Sequence, residues 1–302
     1  MSASADKKKK SRGAPKQSKT VGRTSSLFSI EKKRRISKKG SRRTTKRHNH
    51  TETAEWLHWI YSLLIVSLVS LGAYLFLIKP FSYRWKPCYG SKEYEICIPN
   101  GYSVYGIDVS HHQGRIDWKR VAASSEGEYP LRFVMLKATE GGDYKDSTFD
   151  ANIDSARQAG LICGAYHFYN PDTSPIVQAD FFTKNVELFD GDLPPVVDIE
   201  SRGNDIESLQ RDLLKWLSVV ENYYGIRPII YTSVKFRKKY LDNPAFDKYQ
   251  FWIAHYYVEK PETESEWTFW QCSDRARIGG IDGHTDLNVF AGSLSDLQEI
   301  LF

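Results

Sequence analysis

From residue 104 onward the chain alternates five times between a short apolar run of strand character and an amphipathic run of helical character. This repetition limits the fold more than any other feature of the sequence. Strands are predicted over 104–109, 133–138, 162–168, 195–200 and 228–232, each followed by a helix, over 118–123, 148–158, 176–188, 206–224 and 234–241. The longest helix shows the pattern plainly. Ile206, Leu209, Leu213, Leu217 and Val220 recur at helical spacing, and Gly225 stands just past the end as a cap. Three further strands, over 251–255, 268–272 and 286–289, follow with no helix between them. Eight strands in this order predict a closed α/β barrel that has lost its last three helices, an irregular TIM-like (β/α)5(β)3 arrangement.

The part before the barrel has a different character. Residues 1–50 hold 18 of the 42 Lys and Arg residues against two acids, Asp6 and Glu31, which leaves 24 basic against 35 acidic residues in the remainder. The net charge of +5 therefore belongs to the tail. With almost no large apolar residue, a tail over 1–54 cannot bury enough surface to repay ordering and is expected to be disordered. Lys/Arg runs neutralise phosphates, so nucleic acid is one possible partner. The next stretch argues for another. From Trp56 to Ile78 the sequence is apolar for 23 residues, with His58 its single titratable side chain of the basic or acidic kind, long enough to cross a bilayer. A signal peptide fits less well, because the apolar region is too long and no small-residue cleavage pattern precedes Lys79-Pro80. The segment 55–79 is thus predicted to engage a lipid bilayer as a transmembrane helix, with Trp56, Trp59 and Tyr61 at one interface. The basic flank then stays cytoplasmic and the carboxyl-terminal domain lies outside, with no specific nucleic-acid partner expected. Residues 80–103 read as a connector, and 104–302 as the barrel.

In a barrel of this kind reactive residues lie where strands end. The predicted ends carry Asp108 with Ser110, Lys137 with Glu140, Tyr166 with Phe168, Asp198 with Glu200, Tyr231, His255, Trp270 with Gln271, and Asp286 with Asn288. The starts of the same strands are mostly Val, Ile, Leu and Phe. Asp198 and Glu200 close the fourth strand one residue apart, so alternation puts both carboxylates on one face. A pair of acids in one space has its pKa values pushed apart and can perform acid/base chemistry, or it can simply meet water at a solvated strand end. Several acids rimmed by Tyr and Trp suit a neutral, hydroxyl-rich ligand whose ring faces stack on aromatic side chains.

The motifs Gly106-Ile107-Asp108-Val109-Ser110, Gln113-Gly114, Ile116-Asp117-Trp118, the run Phe133 to Gly141, Gly164-Ala165-Tyr166-His167-Phe168 and Asp198-Ile199-Glu200 together resemble the glycoside hydrolase family 25 lysozymes. The resemblance covers the chain from about Tyr105 to its end, with the motifs in family order. It implies a barrel of five β/α units closed by three strands, which the strand count reaches separately. It also implies an N-acetylmuramidase that cleaves the β-1,4 bond between N-acetylmuramic acid and N-acetylglucosamine in peptidoglycan glycan strands, with no cofactor. Glu200 matches the general acid. Asp198 matches the second central carboxylate, acting as nucleophile, as electrostatic stabiliser or by orienting the substrate acetamido group. Asp108 and Asp286 match the outer acids. Tyr166, Tyr231 and Trp270 match positions expected to line sugar subsites, and Phe168, Lys137 and Glu140 join them from their strand ends. The family expectation is retention, either direct or assisted by the substrate, which sequence spacing does not decide. The localisation implied is a bacterial cytoplasmic membrane with the catalytic domain periplasmic or extracytoplasmic.

Other readings stay open for the whole chain and for single residues. A silent wall-binding module would keep the cleft without turnover, and a glycosidase on another N-acetylglucosamine polymer such as chitin would keep the acids. Lys137 and Glu140 form either a structural ion pair or a substrate contact. His111 and His112 are adjacent, which is poor geometry for a metal, and read as loop histidines. His167 is expected between barrel and helix, and Trp118, Trp216 and Trp252 in the core. Cys88 and Cys97 bracket a short loop that a disulfide would close in an oxidising compartment, whereas Cys163 and Cys272 lie in apolar runs as buried thiols.

Overall fold

A computed structural model describes residues 50–79, 92–124, 127–261, 263 and 265–302. Most of the basic tail and Cys88 lie outside the described residues. The amino-terminal helix α1 (His50–Ala73) continues as a π-helical turn over Tyr74–Ile78, so helix begins a few residues before the predicted span. Within it Trp56–Ile78 holds an 18-residue window of mean hydropathy 2.2, and its side chains face outward rather than into a protein core. Length and composition make it a candidate membrane span.

The carboxyl-terminal unit begins with a hairpin of β1 (Lys92–Glu93) and β2 (Ile96–Cys97), turning through Tyr94 and Glu95 at positive φ. The Tyr94 hydroxyl donates to the Tyr129 carbonyl and its own carbonyl accepts from the Arg277 amide, so the end of the connector is laid along the barrel wall. Cys97 is disulfide-bonded, while Cys163 and Cys272 are free and buried.

The barrel strands are β3 (Tyr105–Val109), β4 (Leu131–Glu140), β6 (Ile162–Phe168), β7 (Val196–Asp198), β8 (Ile229–Ser233), β9 (Phe251–Ala254), β10 (Phe269–Ala276) and β11 (Thr285–Phe290), with a short β5 (Tyr144–Lys145) folded back on β4. Neighbours pair in parallel from β3 through β10, and β11 runs antiparallel between β10 and β3 to close the ring. All eight expected strands are present. Helices α2 (Trp118–Ala123), α3 (Phe149–Gln158), α4 (Pro175–Asn185), α5 (Ile206–Tyr224) and α6 (Val234–Tyr240) follow the first five strands, and α7 (Leu294–Glu299) follows the last.

Alternation along each strand sorts the side chains into two cores. Phe133, Met135, Val196, Ile229, Tyr231, Trp252, Phe269 and Phe290 fill the barrel interior. Ile107, Val134, Leu136, Val197, Ile230, Ile253, Trp270, Leu287 and Val289 point outward to the helices, where Leu213, Trp216 and Leu217 of α5 meet them. Gly106 admits the Phe133 ring, since a Cβ there would stand 2.5 Å from it. The apolar layers leave only the carboxyl ends of the strands for polar groups.

Candidate active site

Asp108 of β3 lies opposite Asp286 of β11 in register, and Asp198 ends β7 beside Tyr231 of β8. The strand stops at Asp198: the Ile199 amide still bonds the Tyr231 carbonyl at 3.0 Å, but the Ile199 carbonyl is taken by the Thr232 hydroxyl at 2.6 Å. Glu200 therefore sits beyond the last strand residue, exposed, whereas Asp198 is buried. The predicted run 195–200 was thus longer than the strand, although both acids still share the cleft: each of Asp108, Asp198 and Asp286 feels the charge of Glu200.

Burial, followed by the charges of Glu200 and Asp108, pushes the Asp198 carboxyl well above the usual carboxylate range, against the pull of Lys137. Its Oδ1 is buried and finds no hydrogen-bond partner among the described residues. Burial also raises Glu200, with Tyr231 and the Lys137 charge opposing. In the outer pair, burial and the Asp108 charge raise Asp286. Burial raises Asp108 too, but three hydrogen-bonding neighbours resist it, Asn288, Gln271 and Asp286. The two amide donors on Asp108 make it the acceptor side of this pair.

The acceptor role of Asp108 is built into the barrel. Its Oδ2 receives Nε2 of Gln271 at 2.8 Å and Nδ2 of Asn288 at 2.7 Å. Asn288 is oriented in turn by the Trp252 indole, a donor only, at 2.8 Å on its Oδ1. Gln271 Oε1 accepts the Tyr231 hydroxyl at 2.6 Å and the Tyr256 hydroxyl at 2.7 Å.

The other expected residues divide. Tyr166 and Phe168 share the inward face of β6, half-buried. Lys137 does pair with Glu140, at 2.6 Å, and its Nζ lies 4.7 Å from the Phe168 ring centre and 5.9 Å from that of Tyr144. Trp270 is not brought to the cleft. It is fully buried on the outer face of β10, against Tyr102 and Trp267, and its indole donates to the His255 carbonyl at 2.8 Å. Its neighbour Gln271 takes the inward place, as alternation requires. His167 lies outside the barrel as expected, stacked on Trp216 and held between Thr139 at 2.7 Å and Gln178 at 3.2 Å, with burial pushing it down to about 4. His111 is a rim residue bonded to the buried Asp146 at 2.9 Å. Burial raises the Asp146 carboxyl, but hydrogen bonds from Thr148 and His111 outweigh it and leave it lowered.

Gln271 and Asn288 were read from the sequence as strand-end residues but given no role in the site, and Tyr256 and Tyr144 were not read at all. Asp108 fixes the inward parity of its own strand alone, so the place of Gln271 follows only from the register of the sheet. Tyr144 depended on β5, a two-residue strand too short to show periodicity.

The sequence profile of glycosyl hydrolases family 25 matches residues 107–281. Lysozyme M1 of Streptomyces globisporus is 38% identical over 210 residues, covering 64% of this chain and 70% of that protein. The uncharacterised protein YegX of Escherichia coli K12 is 41% identical over 220 residues, covering 72% and 79%. The crystal structure of a bacterial lysozyme from Streptomyces coelicolor superposes with a TM-score of 0.61 at 33% identity, covering 67% of this chain and 98% of its own.

Proposed function

The chain belongs to glycosyl hydrolases family 25, and from that membership we propose that it is a membrane-anchored N-acetylmuramidase in which Glu200 protonates the leaving glycosidic oxygen. It is a glycoside hydrolase of the lysozyme type, and peptidoglycan is the substrate consistent with that family. The bond cut is the β-1,4 link from N-acetylmuramic acid to N-acetylglucosamine. The observation that carries the reading is the meeting of four carboxyl groups, from β3, β7, β11 and the turn after β7, in one barrel mouth.

Burial raises the Glu200 carboxyl, the direction a proton donor needs, and Glu200 is exposed enough to reach a bound glycan. Asp198, deeper in the cleft than Glu200, takes the second role, either as nucleophile and stabiliser of positive charge at the anomeric carbon or as acceptor for the substrate acetamido N–H. Asp108 and Asp286 fix the charge around this pair. Tyr166, Phe168 and Tyr231 form the aromatic wall, and Lys137, braced by Glu140, supplies the positive charge that limits repulsion among the acids.

The apolar helix anchors the enzyme in a cytoplasmic membrane, with the basic tail inside and the barrel outside. The decisive experiment is digestion of purified peptidoglycan and of chitin by the full-length chain in detergent. Soluble muropeptides from peptidoglycan and nothing from chitin are expected. Release from chitin alone would transfer the activity to another polymer, and wall binding without product would leave a silent module.

A further inference from the structure

Asp108 is held by two amides, and a single buried group decides which way they face. Its Oδ2 accepts Nδ2 of Asn288 at 2.7 Å and Nε2 of Gln271 at 2.8 Å. An amide donates at one end and accepts at the other, so turning it over would offer Asp108 an oxygen instead. The far end of Gln271 does not forbid that turn, because it meets the hydroxyls of Tyr231 and Tyr256, which can donate or accept. The far end of Asn288 does forbid it. Its Oδ1 receives the Trp252 indole N–H at 2.8 Å, and an indole only donates. Turned over, Asn288 would set N–H against N–H at Trp252 and oxygen against oxygen at Asp108. Trp252 is 2% exposed and Asn288 fully buried, so bulk solvent would not relieve the mismatch.

We propose that Trp252 is a positioning residue of this cleft: its indole N–H fixes the direction of the chain from Trp252 through Asn288 to Asp108, and so holds Asp108 at the barrel mouth as a hydrogen-bond acceptor. This rests on the reading of the acid cluster as that of a glycosidase. Trp252 packs in the barrel interior, as its apolar ring requires, and its one polar atom serves the site. Two N–H groups on one carboxylate oxygen favour the ionised form and oppose the effect of burial. An anion held there suits a reaction in which positive charge develops on a sugar ring. The other groups around Asp108 do not set this direction. Asp286 of β11 shares a hydrogen bond with it, while Glu200, Asp198 of β7, Tyr166 of β6, Tyr231 of β8 and Tyr256 beyond β9 feel it through charge.

The test is a carboxyl 13C titration of the full-length chain labelled at aspartate and held in detergent micelles, with the Asp108→Asn variant identifying the resonance. Trp252→Phe keeps a ring beside Tyr231, whose centre lies 4.4 Å from that of Trp252, and removes the N–H. It is expected to raise the Asp108 midpoint by about one pH unit, the effect of one lost hydrogen bond to a carboxylate. In an Asn288→Leu background the same substitution is expected to leave the midpoint where Asn288→Leu alone puts it, because the indole then has no amide to orient. An unchanged midpoint in a folded Trp252→Phe chain overturns the proposal, as does an equal rise in the Asn288→Leu background. Should the phenylalanine variant not fold, the parent chain carries the test. One indole 15N–1H resonance is expected to move through the Asp108 midpoint, since the bonds of a chain polarise one another, and the lack of any such resonance overturns the proposal. Neither measurement needs turnover, so absence of cleavage by the parent chain would count against the proposed function and leave this result to be judged alone. In an active enzyme the acidic limb of kcat moves up by the same amount in Trp252→Phe while KM stays within about threefold, a split that general loosening of the barrel would not produce.

Discussion

Glu200 and Asp198 differ in exposure more than in identity, and the division of labour follows from that. Glu200→Gln keeps shape and hydrogen bonding but has no proton to give, so turnover of peptidoglycan is expected to fall by about 10²- to 10⁴-fold with the fold intact. Near-parental activity in a folded variant would remove Glu200 from its role. Asp198 stores a cost instead. Its folded-state pKa is raised, so once the pH passes the ordinary carboxylate range near ~4, the folded chain binds a proton that the unfolded chain has released. The stability from that proton is full below this range and is lost as pH rises through the folded-state value. Asparagine does not ionise. Asp198→Asn is therefore expected to raise Tm at pH 8, by roughly 2–4 °C for each kcal/mol recovered, and to change it little at pH 4, while activity is lost. A lower Tm at pH 8 would contradict this account of the cluster.

The elements were readable where period and length cooperate. Helix α5 was predicted over the residues it occupies because five apolar positions recur on one face and Gly225, left-handed in the structure, stands past its end; Asp205, which caps its amino terminus, was a signal not used. The barrel strands were readable from apolar runs too short for helix. What was missed is short or depends on parity. Helix α7 has six residues and β5 two, and neither length carries a pattern. Trp270 was placed in the cleft because an aromatic ring at a strand end resembles a sugar platform. Counting alternation from Asp108 and Asp198 through the register of the sheet gives Gln271 that place, and register comes only from the folded pairing. Close approach sets a further limit on sequence. Gly106→Ala puts a Cβ against the Phe133 ring, which also packs edge-on with Phe269 at 5.2 Å between ring centres. A loss of about 1–3 kcal/mol in denaturant unfolding is expected, with kcat reduced because Asp108 stands two residues along the same strand. Unchanged stability would mean that the interior is looser than its packing implies.

For the whole molecule, the acidic remainder and the basic tail belong on opposite sides of a membrane in the proposed topology. Protease added to intact spheroplasts is expected to digest the barrel and spare the tail, and digestion of the tail with the barrel protected would reverse the orientation. A tether would also confine the hydrolase to wall within reach of the membrane. Peptidoglycan digested by the parent chain and by Glu200→Gln can be reduced with borohydride, hydrolysed and analysed for its sugar alcohols. The account predicts new muramicitol from the parent and almost none from the variant. New glucosaminitol as the main product, or equal muramicitol from both proteins, would contradict it.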